Sequence, residues 1–417
     1  MQEWFNWHAW KACVPQKGTG GSNPPLSAKT NCNLNDKQFY INKMNTKQLL
    51  LPLCVFLFCR FIVTGQEGHP EPKTLEIGSQ APDFSLKGVD NKTYTLADFA
   101  SSKVLVVVFS CNHCPTAQAY QDRLIDIYNK YTSKGVALVV ISPNSSKSLN
   151  LWEQGWSDLG DTFEEMKIRA KDKGFKFPYL YDGDDQKTAI AYGPMATPHA
   201  FAFDKNRKLQ YVGCIDESME KGKGELLQNA IDAILEGRKI EKPVTKVFGC
   251  STKWAWKTEG TKKLYKEWSE LPVTIENIDT SGIKELIWNK SDKLRLINVW
   301  ASWCGPCVQE FPDFVIIDRI YRSRQFEFIS INADKLSGKD NILKFLQKNE
   351  ASNKNYIFNS DNNIALVEAI DPKWSGALPY TLLVEQGGNV IYRIQGPINM
   401  IEMRKLIVNN RYIDGVK

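Results

Sequence analysis

Two blocks of the chain share one hydrophobic pattern. Residues 103–109 (KVLVVVF) and 294–300 (LRLINVW) are apolar at mostly consecutive rather than alternating positions, as in a strand buried on both faces. After the first block Tyr120, Leu124, Ile127, Tyr128 and Tyr131 recur at helical spacing until Gly135; after the second, a helix is predicted to about Tyr321. Residues 136–141 and 326–332 predict the next buried strands, so each block reads strand, helix, strand, with a right-handed crossover and parallel pairing. Asp161 with Glu164 resembles a capping box opening a helix to about Lys173. Short strands at 200–203 and 209–212 around "DKNRK" predict an antiparallel hairpin. A helical stripe of Leu226, Leu227, Ala230, Ile231 and Ile234 follows, closed by Gly237. The second half repeats the order: a helix over 341–347, a hairpin of 380–384 and 390–393 around "EQGG", and a last helix from Met400. The expectation is α/β architecture in two units, 75–250 and 260–417, each a mixed central sheet flanked by helices. Periodicity lapses between them, near 238–260.

A chain of 417 residues with 42% apolar and 24% charged residues has room for two or three domains with buried cores. The net charge of +6 is modest and its lysines are spread, which gives no support to nucleic-acid binding. Residues 44–65 run from Lys47 through an apolar stretch at 49–63, interrupted by Arg60, to the small Gly65. That is the order of a secretory signal peptide, so the folded part is expected in the periplasm or secreted, touching a membrane only through this segment, cleaved or kept as an anchor. Residues 1–43 are polar and contain "GTGGSNPPLSAKT", which looks like a translated transfer-RNA arm; they read as a mis-assigned or disordered extension.

Of the ten cysteines, Cys13, Cys32, Cys54 and Cys59 precede residue 66. The informative ones are Cys111 with Cys114 and Cys304 with Cys307, each pair at a strand-to-helix junction. Free amides at a helix N-terminus favour an anion, and a thiolate there has a lowered pKa and attacks disulfides. Three other readings compete. A shared zinc site is disfavoured because the pairs lie far apart in sequence; a structural disulfide closing so short a loop stabilises little; buried reduced thiols do not suit an exported chain. Redox exchange is the reading that uses both pairs. It calls for no cofactor and no metal, only protein disulfide substrates and an electron donor that the sequence does not identify.

"NVWASWCGPC" and "ALPYTLLV" resemble the thioredoxin active-site segment and its Leu-Pro stretch. The second half is similar to the TlpA/ResA-like thiol-disulfide oxidoreductases. The resemblance implies a thioredoxin-like fold, a Cys304–Cys307 disulfide, a cis proline at Leu378–Pro379 facing the cysteines, and Trp303 beside them at the substrate surface. Glu310 matches the buried proton-transfer glutamate of those reductases and Pro312 their helix-kinking proline, while Asn298 stands where cytosolic thioredoxin carries an aspartate. The first half, with "APDFSLKGVDNKTYTLADFA" and "ATPHAFAFD", resembles the redoxin branch that includes peroxiredoxin-like proteins. It implies a second thioredoxin-like fold, a Cys111–Cys114 disulfide and a cis Thr197–Pro198 at the substrate side. Against the peroxiredoxin Pro-x-x-x-Thr/Ser-x-x-Cys pattern, Cys114 takes the peroxidatic place, but Cys111 and Val107 depart from the threonine and the proline. The whole is expected to be a monomeric tandem oxidoreductase. Cys304 and Cys111 attack, Cys307 and Cys114 resolve, and a thiol peroxidase on Cys114 or a non-catalytic adaptor are the alternatives.

The inserts differ. His113 is the insert of strongly oxidising proteins and is expected to stabilise the Cys111 thiolate, whereas Gly305–Pro306 is typical of reductants. Potentials of such proteins span about −270 to −120 mV, equivalent to roughly 7 kcal/mol, so CNHC is expected to be the more oxidising pair. Cys214 and Cys250 are left either as a disulfide or as buried thiols. His199 reads as a structural residue of the hairpin edge, and Trp254, Trp256, Tyr265 and Trp268 as an interdomain packing patch.

Overall fold

The computed structural model describes His69 and residues 71–220 and 225–413; the expected extension 1–43 and signal segment 44–65 lie outside the described residues. In chain order the strands are β1 (Ser85–Gly88), β2 (Thr93–Thr95), β3 (Val104–Phe109), β4 (Val136–Ser142), β5 (Tyr179–Tyr181), β6 (Ala196–Thr197), β7 (His199–Phe203), β8 (Leu209–Gly213) and β9 (Cys250–Ser251) in the first half. The second half holds β10 (Glu276–Ile278), β11 (Leu294–Trp300), β12 (Phe326–Asn332), β13 (Lys354–Phe358), β14 (Tyr380–Glu385) and β15 (Asn389–Gln395). The first sheet runs β2-β1-β5-β4-β3-β7-β8 and the second β10-β13-β12-β11-β14-β15. In both, the cysteine-bearing strand is central, parallel to the strand after its helix and antiparallel to the first strand of a C-terminal hairpin. This is the thioredoxin-like arrangement, twice.

The consecutive apolar pattern has a direct cause. Val104, Val106 and Val108 enter one core and Leu105, Val107 and Phe109 another, so β3 has no solvent face. Each such side chain contributes roughly 1.5–3 kcal/mol relative to exposure. The strand β11 is likewise split: Leu294 and Leu296 face one core, Ile297 and Val299 the other.

Two local expectations are corrected. The helix Phe163–Lys173 is capped by Thr162 with Glu165, not by Asp161 with Glu164; Asp161 is drawn away by a partner described below. The helix after Cys114 is broken at Tyr120 into Pro115–Ala119 and Gln121–Tyr131, whereas Gly305–Tyr321 runs unbroken with Pro312 inside it. The short strands β1, β2, β5 and β10, with too few residues to show a period, are additions that the pattern did not announce.

The two halves of the described chain pack into one compact unit. Tyr321 donates from its hydroxyl to the Ser157 carbonyl at 3.3 Å. Arg404 reaches Glu165 at 3.5 Å and Gln154 at 3.2 Å. The lapse in periodicity after residue 250 holds a helix, Thr258–Ser269: Thr258 meets Ser148 of the first half at 2.8 Å, and Trp268 lies under Arg319 and Arg322 of the second. The expected aromatic patch is therefore divided, because Trp254 and Trp256 stack within the first core while Tyr265 and Trp268 bridge the halves.

Candidate active sites

In the first site, Cys111 follows the end of β3 and Cys114 is the N-cap of Pro115–Ala119, with Pro115 supplying a first helical position that needs no amide. Cys111 Sγ lies 3.1 Å from Thr197 Oγ1 and Cys114 Sγ 3.3 Å from the Thr197 carbonyl, and the Thr197–Pro198 bond is cis. The cis-proline loop thus faces the cysteines. Both cysteines are free thiols; the disulfide expected between them is not formed in this structure.

His113 is buried between the two cysteines in sequence, and its Nδ1 sits 2.6 Å from Asp161 Oδ2. Asp161 Oδ1 accepts the amides of Asn112 at 2.8 Å and His113 at 3.0 Å, and Asn144 donates to Oδ2 at 2.7 Å. Burial alone pushes the Asp161 carboxyl up, but the imidazolium and these donors outweigh it and hold it below the usual range. Burial likewise disfavours a charged His113, yet Asp161 raises it above the ordinary histidine value. The pair is a buried ion pair held by one segment, residues 157–161, wrapped round the CNHC loop.

The charge of that pair acts on the cysteines unequally. Burial, followed by its hydrogen bond to Cys114 and the nearby Asp161 carboxylate, pushes the Cys111 thiol well above its ordinary value. Cys114 is as deeply buried, but hydrogen bonds from the Cys111 and Cys250 thiols, the His113 charge and the Ala117 amide outweigh burial and hold it well below. The environment therefore favours the thiolate on Cys114, not on Cys111 where the sequence placed it. Asp161 and Asn144 were missed; a histidine in a buried loop needs a partner, but nothing in the sequence says which carboxylate comes.

Access is the other surprise. Every residue from 104 to 117 is buried, and the segment around Cys250 lies over the site. Cys214 is a buried thiol 3.5 Å from Thr245 Oγ1, and Cys214 and Cys250 are not bonded to each other. His199 accepts the Met195 amide at 3.3 Å, packs tilted against Phe201, and is pushed down to about 3 by burial, so it stays neutral and structural.

The second site is built differently on the same plan. Cys304 caps Gly305–Tyr321, its Sγ accepts the Cys307 amide at 3.3 Å, and the two are joined in a disulfide. Cys304 is 6% exposed, and Trp303 beside it is 70% exposed, so this site opens to solvent. Leu378–Pro379 is cis, and Leu378 packs on the cluster that contains both cysteines. Glu310, one turn after Cys307, is buried; its carboxylate accepts the Ile398 amide at 2.9 Å and the Asn298 side-chain amide at 3.5 Å. Burial pushes it up to about 7, against the two hydrogen bonds. Asn298 also donates to Thr381 at 3.1 Å.

For metal chemistry the described residues bring together Cys111, His113 and Asp161, whose ligand atoms lie within 4.8 Å of one another. Structural zinc sites use four donors, and here His113 Nδ1 and Asp161 already satisfy each other.

Comparison with known proteins places a match to the AhpC/TSA family over residues 77–212 and to the family described as Redoxin over 284–406. The thiol-disulfide oxidoreductase ResA of Geobacillus thermodenitrificans is 28% identical over 144 residues, 34% of this chain and 71% of that protein. The thiol:disulfide interchange protein CycY of Rhizobium leguminosarum bv. viciae is 33% identical over 116 residues, 28% of this chain and 57% of its own length. A crystal structure of an uncharacterized conserved protein from Geobacillus kaustophilus aligns at 37% identity, covering 44% of this chain and 95% of that one, with a TM-score of 0.39.

Proposed function

The chain belongs to the AhpC/TSA and redoxin families as a tandem of two thioredoxin-fold domains, and from that premise we propose that it is a thiol-disulfide oxidoreductase with two redox sites, Cys304/Cys307 and Cys111/Cys114. The observation that carries the reading is the Cys304–Cys307 disulfide at a helix N-terminus, beside the exposed Trp303 and the cis Leu378–Pro379. Once reduced, the Cys304 thiolate attacks a protein disulfide and releases one substrate thiolate. Cys307, giving its proton to Glu310, then attacks Cys304 and expels the second. The substrate gains two electrons and the pair returns to the disulfide.

At the first site Cys114 is the nucleophile and Cys111 the thiol that resolves it. The His113 charge stabilises the Cys114 thiolate and hence the reduced pair, which supports a higher potential than that of Cys304/Cys307 and electron flow from the second site to the first. The apolar stretch at 49–63 supports export. Among the described residues no helix is long and apolar enough to cross a membrane.

A second reading of the first site has one specific observation behind it. A low-pKa Cys114 enclosed on all sides suits a small oxidant better than a folded protein. In that reading Cys114 takes the terminal oxygen of a hydroperoxide as a sulfenic acid, releasing an alcohol or water. Cys111 then condenses with it, losing water to leave the disulfide. Insulin reduction and peroxide consumption, measured on Cys304→Ser, Cys111→Ser and Cys114→Ser chains, decide between the two. Either activity surviving loss of both pairs rejects the enzyme.

A further inference from the structure

We infer that Cys250 is a third redox thiol of the first site, the exchange cysteine through which the enclosed Cys111/Cys114 pair meets its partners. The inference rests on the reading of Cys111/Cys114 as redox-active and extends it to a residue that lies 136 positions from Cys114 in the sequence.

Three observations converge. The two-residue strand β9 pairs with β6, setting Cys250 opposite Thr197, the residue whose side chain and carbonyl contact both cysteines. The Cys250 amide donates to Cys114 Sγ at 3.3 Å, and Cys250 packs on the cluster formed by Cys111, Cys114 and Ala117. The Cys250 thiol also donates to Cys114, so the two sulfurs are neighbours. Finally, Cys111 and Cys114 are fully enclosed, whereas Cys250 is partly exposed.

The backbone is adapted to this approach. Gly249 has φ +141°, and a Cβ there would stand 2.0 Å from the Thr197 carbonyl oxygen; only glycine lets the strand come so near. Beyond Cys250, the Lys253 amide donates to Asn144 Oδ1 at 2.9 Å, and its ammonium pairs with Glu153. The cysteine is thus pinned on both sides. Asn144 also holds Asp161, so one side chain positions the histidine partner and the third thiol.

The chemistry balances with a disulfide as oxidant. Cys250 attacks a disulfide R–S–S–R′, passing its proton along the hydrogen bond to Cys114 and releasing R′S⁻. Cys114 attacks the Cys250 sulfur, forming Cys114–Cys250 and expelling RSH with the proton it carried. Cys111 then attacks Cys114, leaving the Cys111–Cys114 disulfide and returning the proton to Cys250. Two electrons leave the buried pair, and two thiols leave the site. The partly exposed residue makes the encounter and the enclosed pair stores the oxidation.

The test uses the full-length chain with the second site silenced by Cys304→Ser and Cys307→Ser, reduced and then treated with glutathione disulfide. After acid quench, alkylation and trypsin, mass spectrometry reads the linkage between the peptides 104–123 and 247–253. The Cys111→Ser version is expected to trap Cys114–Cys250, and the Cys114→Ser version to hold glutathione on Cys250. Cys250→Ala and Cys250→Ser are expected to slow glutathione disulfide consumption at least tenfold while still ending in Cys111–Cys114. Undiminished rates in both Cys250 variants, or glutathione held on Cys114 with no link to Cys250 in Cys111→Ser, overturn the relay but leave the paired reading standing. Absence of any Cys111–Cys114 disulfide in the parent overturns both.

Discussion

The two Cys-x-x-Cys sites occupy equivalent points of equivalent sheets, yet one is open and the other is roofed. At Cys304 the first cysteine caps a long helix and, though itself buried, is rimmed by the exposed Trp303, Gly305 and Pro306. At Cys111 the helix is broken after one turn, the cap is the second cysteine, and the cis-proline loop and the Cys250 segment close over the pair. Each also carries its own buried ionisable group: a lone carboxyl pushed up to about 7 at Glu310, and an ion pair at His113–Asp161. A solitary buried carboxyl is poised to trade a proton near neutrality, while a buried ion pair is a fixed charge. The fold sets where sulfur sits; the neighbours decide whether the site exchanges protons or holds a field.

This contrast can be broken most sharply at Cys304. Changing it to serine is expected to cut insulin reduction on the order of 10⁴-fold, the loss of a nucleophile, while the Cys114 thiolate absorbance near 240 nm stays. Next in size is Asp161→Asn, which leaves His113 buried without a charged partner and is expected to cost about 3–5 kcal/mol in urea unfolding. The pH dependence carries a definite sign. His113 is raised from 6.5, so its stabilisation is full below that value and fades as pH climbs through its folded value; Asp161 is lowered from 3.8, so its stabilisation is present above that value and fades on acidification. The stability gap between wild type and Asp161→Asn should therefore be widest from about pH 4 to about pH 6.5 and narrow on both sides.

A smaller effect is expected from Glu310→Gln. Steady-state reduction should fall roughly 10- to 100-fold, and the rise in rate as pH passes about 7, where the wild-type carboxyl ionises, should vanish. A pH profile that keeps its inflection in the glutamine variant would assign the proton transfer elsewhere. Smallest is the difference in potential. Glutathione titration of each pair in the absence of the other should put Cys111/Cys114 at least about 30 mV above Cys304/Cys307, roughly 1.4 kcal/mol; an inverted order would mean that the His113 charge does not govern the first pair.

The features readable along the chain are local and periodic. The buried strands β3, β4, β11 and β12, the hairpins and the helix stop at Gly237 follow from consecutive apolar runs, turn residues and φ preferences that act within a few residues. Both cysteine pairs were legible because motif residues lie close together in the chain, whereas both cis prolines and the candidacy of Glu310 came from the resemblance to known families. The long-range features came with the fold: Asp161 leaves its helix cap to meet His113, Cys250 rather than Cys214 joins the cysteines, and the first site is covered while the second has an exposed rim. Those choices depend on which loops a sheet brings together and on how far each buried charge is from water. Neither quantity is carried by the spacing of residues along the chain.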